Sequence, residues 1–383
     1  MDIKNSRDEY SWAGLLYYFL KLGSTILGGS LVLVQHLQKD LVLKRRWISD
    51  QDYQKGLALS LTAPGPVAPQ LVVFIGTTKR GTWGGLLCGL VFLLPSFCLS
   101  LVLGLLYRHF ENTAFLRSIL YGMGGTVIGI LAKSTFDLSR PVFLMRLLYR
   151  ILFLMVAALT ALTGQVSIWL FLLNGFIAWL VFAPSKSPSG VPKALGQPWA
   201  GVFLTPLLTP SLPALFLFFA KASLLVFGSG LVILPFLHGE MVRDQGWLTD
   251  RQFLDSVAVG LVTPGPFLMV VGFMGFLIRG WQGALAAFGG LFLPAYLLVL
   301  LLAPLFKDRS SNPGLDAFVK GITAAALGAV AGMVLWLGLQ NLTDIPNLLL
   351  AAGALAILSL SKIPEAWVIL AGALLGLLIR STA

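Results

Sequence analysis

Charge is what this 383-residue sequence has least of. Asp, Glu, Lys and Arg make up 11% of it, less than half of the roughly 25% usual in soluble chains. A soluble fold of this size could not cover its surface with so little charge. That argues against a cytosolic enzyme, a disordered chain and a nucleic-acid-binding domain. Cysteine is nearly absent: Cys88 and Cys98 lie in one apolar run and indicate no disulfide framework. The histidines His36, His109 and His238 show no metal-ligand spacing, so neither a metal nor another cofactor is implied. No nucleophile–base pair has useful spacing and no glycine-rich phosphate loop follows a strand pattern, so an enzyme is not expected. Carboxylates are missing from the middle of the apolar runs, which leaves no proton relay in view.

What is present is hydrophobic length. Apolar residues make up 57% of the chain, and the mean hydropathy is +0.86. Six runs come first: Ala13–Val34, Leu57–Ile75, Trp83–Tyr107, Phe115–Ala132, Leu147–Leu162 and Val166–Phe182. A Pro/Ser/Lys-rich stretch, Ala183–Pro198, reads as a linker. Six more runs follow: Ala214–Leu237, Val257–Ile278, Trp281–Leu305, Phe318–Leu339, Leu348–Leu360 and Trp367–Ile379. Crossing a hydrocarbon core of ~30 Å takes about 20 helical residues. The expected fold is an all-α polytopic membrane protein whose constant partner is the lipid bilayer. Residues 1–183 form a first membrane half, 184–213 a linker and 214–383 a second half.

The halves are related. Phe19–Pro66 aligns without gaps on Phe219–Pro266, with 14 identities in 48 positions. Phe19 pairs with Phe219, Lys21 with Lys221, Gly28 with Gly228, Trp47 with Trp247 and Asp50 with Asp250. Pro64-Gly65-Pro66 pairs with Pro264-Gly265-Pro266. Lys and Arg counts bear on relative orientation, because cytoplasmic loops collect them. With six crossings per half the halves are parallel and the loops show no bias. If the Pro-Gly-Pro run of each half enters and returns on one side, the halves are inverted. Loop Lys and Arg then divide 17 inside to 8 outside. The counts favour inverted repeats with broken or re-entrant helices, an arrangement common in secondary transporters.

Three constellations are candidates for binding. The first is Gly28-Gly29, matched by Gly228 and Gly230 around Ser229. Paired glycines let backbone N–H groups face a cavity, and they equally suit close helix packing. The second is Pro64-Gly65-Pro66, matched by Thr263-Pro264-Gly265-Pro266. Two prolines around a glycine cannot lie inside a regular helix, and in lipid such a break belongs beside protein or a water-filled cavity. A helix restarting after the break presents free N–H groups and a partial positive charge, which suits an anion. A purely structural kink is the alternative. The third is the pair Lys21 and Lys221, each seven residues before the glycine motif within an apolar run. They either face a pocket, converging with the breaks near the repeat axis, or snorkel to the interface. Trp47-Ile48-Ser49-Asp50 and Trp247-Leu248-Thr249-Asp250 read as an interfacial Trp followed by a helix N-cap at Ser49 or Thr249.

In this order (F-x-K, a glycine pair, a loop ending in WIS/WLT-D, then P-G-P) the residues resemble the chromate ion transporter family, in its long two-domain form. The second half matches best, with FGSGLVILPF from Phe227, GWLTDRQFLDSVAVGLVTPGPF from Gly246 and KDRSSNPGLDAFVKGITAAALGAVAG from Lys307. Two departures stand out. The first half reads Ile26-Leu27-Gly28-Gly29-Ser30 where the family has FGGP, and Ser229 replaces a glycine. The resemblance implies a multi-pass secondary transporter of the inner cell membrane. Its substrate would be chromate, a tetrahedral oxyanion, with sulfate or another oxyanion as alternative; with no buried carboxylate in view, export is expected to run on the membrane potential. A membrane-embedded enzyme acting on an anionic lipid or phosphate is the reading from another class, and an ion channel a third. A homo-oligomer is compatible with this reading.

Overall fold

The computed structural model describes residues 11–26, 30–111, 113–182, 210–226, 229–303, 313–361 and 363–381. Gly28, Gly29, Gly228 and most of the expected linker therefore lie outside the described residues.

In the first half the chain forms α1 (Trp12–Thr25), α2 (Ser30–Leu37) with a π-helical continuation over Gln38–Lys44, α3 (Asp50–Thr62) and α4 (Val67–Phe110). Then come α5 (Ala114–Leu144), α6 (Leu147–Thr163) and α7 (Ile168–Phe182). The second half repeats this order. It has α8 (Leu212–Ser223), a 3-10 turn at Gly230–Ile233, α9 (Leu234–His238) with a π-helical continuation over Gly239–Asp244, and α10 (Asp250–Val262). A 3-10 turn at Phe267–Met269 leads into α11 (Val270–Leu302), followed by α12 (Pro313–Asn341), α13 (Ile345–Leu360) and α14 (Glu365–Ser381). The described residues are helical with no strand. Among the described residues, four stretches are long and apolar enough to cross a membrane: Val67–Phe110, Ala114–Leu144, Phe267–Leu302 and Asp316–Asn341.

Both expected N-caps form. The Ser49 hydroxyl accepts from the Asp52 N–H at the start of α3, and Thr249 makes a capping box with Gln252 at the start of α10. The run Ala13–Val34 is not one helix, since α1 stops at Thr25 and α2 starts at Ser30.

α4 doubles back on itself. Its dihedrals leave the helical region at Arg80 and Gly81. A Cβ built on Gly76 would lie 2.9 Å from the Cβ of Cys88, whereas twelve residues of straight helix span about 18 Å. The two arms, residues 67–79 and 82–110, are thus antiparallel and touch through glycines. α11 does the same at Arg279 and Gly280; there a Cβ on Gly275 would lie 2.8 Å from that of Ala287. The first arm of α4 also runs back along α3, because Gly56 packs on the Phe74 ring, and Gly260 of α10 likewise packs on Val270. Each Pro-Gly-Pro break is therefore the tip of a helical hairpin. The 13 residues of α3 span about 20 Å, short of the ~30 Å core. The broken run enters and returns on one side.

The halves are inverted. Beyond the break the repeat offset becomes 199, as Arg80-Gly81 matches Arg279-Gly280 and Pro95 matches Pro294. The equivalent second arms of α4 and α11 run antiparallel. The Tyr296 hydroxyl donates to the Thr82 carbonyl at 3.1 Å, Gly89 meets Phe292, and the rings of Phe97 and Phe288 lie 4.7 Å apart. Parallel repeats would align these arms in one direction.

The halves also interlock. α5 packs on α13 and α14 of the second half, while its counterpart α12 packs on α6 and α7 of the first. Small residues make these contacts close, as is common between helices in lipid. A Cβ on Gly122 would meet the Gly376 amide at 2.7 Å, one on Gly129 the Ala354 Cβ at 3.0 Å, and one on Gly332 the Thr160 Cβ at 2.6 Å. Both halves contribute to the same buried clusters.

Candidate functional site

The two hairpin tips meet the opposite halves of the chain. The Gly65 N–H donates to the Val226 carbonyl at 2.8 Å, and the Gly265 N–H donates to the Ile26 carbonyl at 2.8 Å. Val226 and Ile26 are the residues just before the two glycine motifs. Each Pro-Gly-Pro break is thus bonded to the residue two positions before the first glycine of the other half's motif. Gly65 has φ +130° and Gly265 φ +95°, values an L side chain rarely adopts. Neither has room for one: a Cβ on Gly265 would strike the Ser96 hydroxyl and approach the Gly23 carbonyl to 2.8 Å.

Beyond each break a helix begins again, and its first amides have no carbonyl within the helix to bond. In α4 these are the N–H groups of Val67 and Ala68, since Pro69 has none. In the second half they belong to Phe267 and Leu268. Val67, Ala68 and Leu268 are buried. Pro66, Gln70, Leu268, Met269, Ala295 and Tyr296 contribute to the lining of a small cavity between the halves, with room for about one water. The arrangement is a closed, mainly apolar junction of two helix N-termini, lined also by Val73, Leu93, Leu291 and Phe292, with no carboxylate among its described lining residues. Gly230 is buried and packs against Leu268, next to the second tip. Thr263 is buried and its hydroxyl donates back to the Val259 carbonyl at 2.6 Å, so that hydroxyl is spent on the helix end.

The two lysines do not behave alike. Lys21 is exposed. Lys221 has an 11% exposed side chain, and its ammonium lies 3.3 Å from Glu240 Oε1 and 5.6 Å from the centre of the Phe236 ring. The difference lies in their neighbours. Asp40, the counterpart of Glu240, is taken by Arg45 at 3.0 Å, and the second half has Gln245 in place of that arginine. Glu240 is thereby left to Lys221. The pair borders a polar cavity lined also by Gln165, Ser167, Gly239 and Asp244. Among the described residues, the expected convergence of two ammonium groups on the breaks is therefore not seen: one lysine faces out and the other is held in an ion pair.

A buried carboxylate escaped the sequence reading. Asp255 is 4% exposed and accepts from the Tyr107 hydroxyl at 2.9 Å, which ties α10 to the second arm of α4. It lies two residues before the apolar run Val257–Ile278, outside the stretches searched for buried carboxylates. Its counterpart in the first half is Lys55, and that break in the repeat was the available signal. Glu365, on α14, is similarly engaged by the Ser134 hydroxyl at 2.9 Å. Among the described residues no cluster of His, Cys, Asp and Glu could hold a metal ion.

A family model described as chromate transporter matches residues 13–180 and again 213–377. A chromate transport protein of Cupriavidus metallidurans is 40% identical over 373 residues, covering 96% of this chain and 93% of the relative. A probable chromate transport protein of Synechococcus elongatus is 41% identical over 381 residues, covering 97% and 96%. A chromate transport protein of Pseudomonas aeruginosa is 31% identical over 353 residues, covering 88% and 84%. No solved structure gives a significant match.

Proposed function

The chain belongs to the chromate transporter family, and we propose that it exports chromate across the inner cell membrane, using the membrane potential. The observation that carries this reading is the reciprocal junction of the two breaks. It joins two helix N-termini, one from each inverted half, at a point where neither half alone forms a site. Amide donors at helix N-termini suit an anion, and a site shared by inverted repeats can open to either side as the repeats rock. The room for about one water makes this a closed arrangement, so an ion would bind as the hairpin tips part. The candidate binding groups remain Gly28, Gly29, Pro64, Gly65 and Pro66 in one half, and Gly228, Gly230, Thr263, Pro264, Gly265 and Pro266 in the other. Lys221 borders the polar cavity, where Glu240 holds its ammonium, and it stays in the candidate set as a cation that an anion would meet once that pair opens. Lys21 supplies positive charge at the opposite surface.

Each elementary charge crossing the membrane gains about 2.3 kcal/mol per 100 mV. A dianion leaving a negative interior thus gains about 4.6 kcal/mol per 100 mV, with no need for a coupling ion. Asp255 favours a second reading, exchange of the anion against protons, because its carboxylate is buried with a neutral hydroxyl as its hydrogen-bond partner.

The test is flux of radiolabelled chromate and sulfate in proteoliposomes under separately imposed potential and pH gradients. Chromate flux that follows potential supports the first reading, and flux that follows only the pH gradient supports the second. Sulfate carried as well as chromate would widen the substrate to tetrahedral oxyanions in general. Absence of oxyanion flux would remove all three.

A further inference from the structure

Each hairpin tip carries, beside its amide donors, a carbonyl that would repel an oxyanion. These are the carbonyls of Pro64 and Pro264, each just before the break glycine. Both are covered. The Gln70 side-chain amide donates to the Pro64 carbonyl at 2.6 Å, and the Ser96 hydroxyl donates to the Pro264 carbonyl at 2.5 Å. Gln70 and Ser96 are both fully buried. The covering groups are not equivalent in the repeat. The counterpart of Ser96 is Ala295, which has no hydroxyl, and the counterpart of Gln70 is Met269. The same task is thus done by a serine from the opposite half at one tip and by a glutamine from the same half at the other. The Gln70 Oε1 atom is buried without a partner, a costly state for an amide. Its orientation is set by the bond to Pro64.

We propose that Gln70 and Ser96 are positioning residues for anion selectivity: they cover the two break carbonyls so that only N–H donors face the transported oxyanion. This deepens the reading of the junction as the oxyanion site and rests on it. A carbonyl left bare places a partial negative charge beside the bound anion. A neutral hydrogen bond is worth about two- to tenfold in an equilibrium constant.

Gln70→Leu and Ser96→Ala should each raise the KM for chromate about two- to tenfold, with maximal flux little changed and Tm lowered by the carbonyl left bare. Ser96→Thr keeps the hydroxyl and should keep the KM. The repeat supplies a sharper arm. The Ala295 Cβ lies 3.4 Å from where a Cβ on Gly65 would be, so Ala295→Ser brings a hydroxyl to the first tip as Ser96 does to the second. Ala295→Ser should restore the KM of Gln70→Leu. Unchanged KM in folded Gln70→Leu and Ser96→Ala, with or without a lower Tm, would overturn the proposal and leave both residues as structural ties. So would a raised KM that neither Ser96→Thr nor Ala295→Ser spares. Should either single variant fail to fold, the double variant carrying Ala295→Ser and the Ser96→Thr protein carry the comparison. Val67→Pro, which deletes an amide donor, separates the two levels. If Val67→Pro raises the KM and Gln70→Leu does not, the junction stands and the covering role falls. If none of these variants moves the KM, both fall.

Discussion

The Gly65 amide lies 2.8 Å from the Val226 carbonyl, and the chain makes the same bond once more, at the same length, between Gly265 and Ile26. Each bond fastens a Pro-Gly-Pro tip of one half to the approach to the glycine motif of the other. Two inverted halves are joined at their weakest helical points, where backbone groups are free to bind something other than their own helix.

Gly65 and Gly265 should tolerate no side chain. At positive φ an L residue costs about 1–2 kcal/mol, and the Cβ of Gly265→Val would collide with Ser96 and the Gly23 carbonyl. Transport by Gly265→Val is expected to vanish in protein that still reaches the membrane, with a lowered Tm. Normal flux from a well-expressed Gly265→Val protein would contradict the packing at the tip.

The inverted arrangement places Lys44 and Arg251 on opposite sides of the membrane. Single cysteines at these two positions, in a background lacking Cys88 and Cys98, should be labelled by an impermeant reagent from opposite sides. Labelling of both from one side would restore parallel halves.

Lys221 should matter more than Lys21. Loss of a charge-assisted contact raises the chromate KM about tenfold or more, so Lys221→Ala should do so and Lys221→Arg should retain most function. Lys21 is exposed, and an exposed charge is worth little, so Lys21→Ala should stay within about twofold. Equal and small effects from both alanine variants would remove lysine from the pathway and leave snorkelling as the explanation.

Asp255→Asn discriminates between driving forces. The amide can still accept from Tyr107, so folding should survive. Export driven by potential predicts that the variant keeps its response to an imposed potential. Loss of transport together with loss of dependence on a pH gradient would make Asp255 the proton carrier instead.

Much of this was legible in the residues. The repeat, the Ser49 and Thr249 caps and the re-entrant Pro-Gly-Pro runs each follow from local chemistry: two prolines around a glycine must break a helix, and charge between apolar runs reports orientation. The sharp reversal at Arg80-Gly81 falls in the charged gap between the runs Leu57–Ile75 and Trp83–Tyr107, so it too was legible. The exchange of α5 and α12 between halves was hidden because packing partners leave no trace in one sequence. At the breaks the sequence singled out residues that the structure brings together, while at the lysines it led to a convergence that the described residues do not show. Seven-residue spacing gives Lys21 and Lys221 the same helical address. Their surroundings are decided by Arg45 and Gln245, more than twenty residues away in sequence.

The central claim is that backbone amides after the breaks hold the oxyanion, and a substitution can delete one such amide. Proline is well accommodated at the first position of a helix, so Val67→Pro and Phe267→Pro remove an N–H while keeping the turn. Val67→Ala and Phe267→Ala control for the lost side chains. The decisive measurement is the chromate KM of these four proteins in proteoliposomes. Losing a hydrogen bond to a charged group costs about 1.5–3 kcal/mol, so each proline variant should show a KM raised about 10- to 150-fold, with its alanine control near wild type. Proline variants that fold, transport and keep the wild-type KM would contradict the claim.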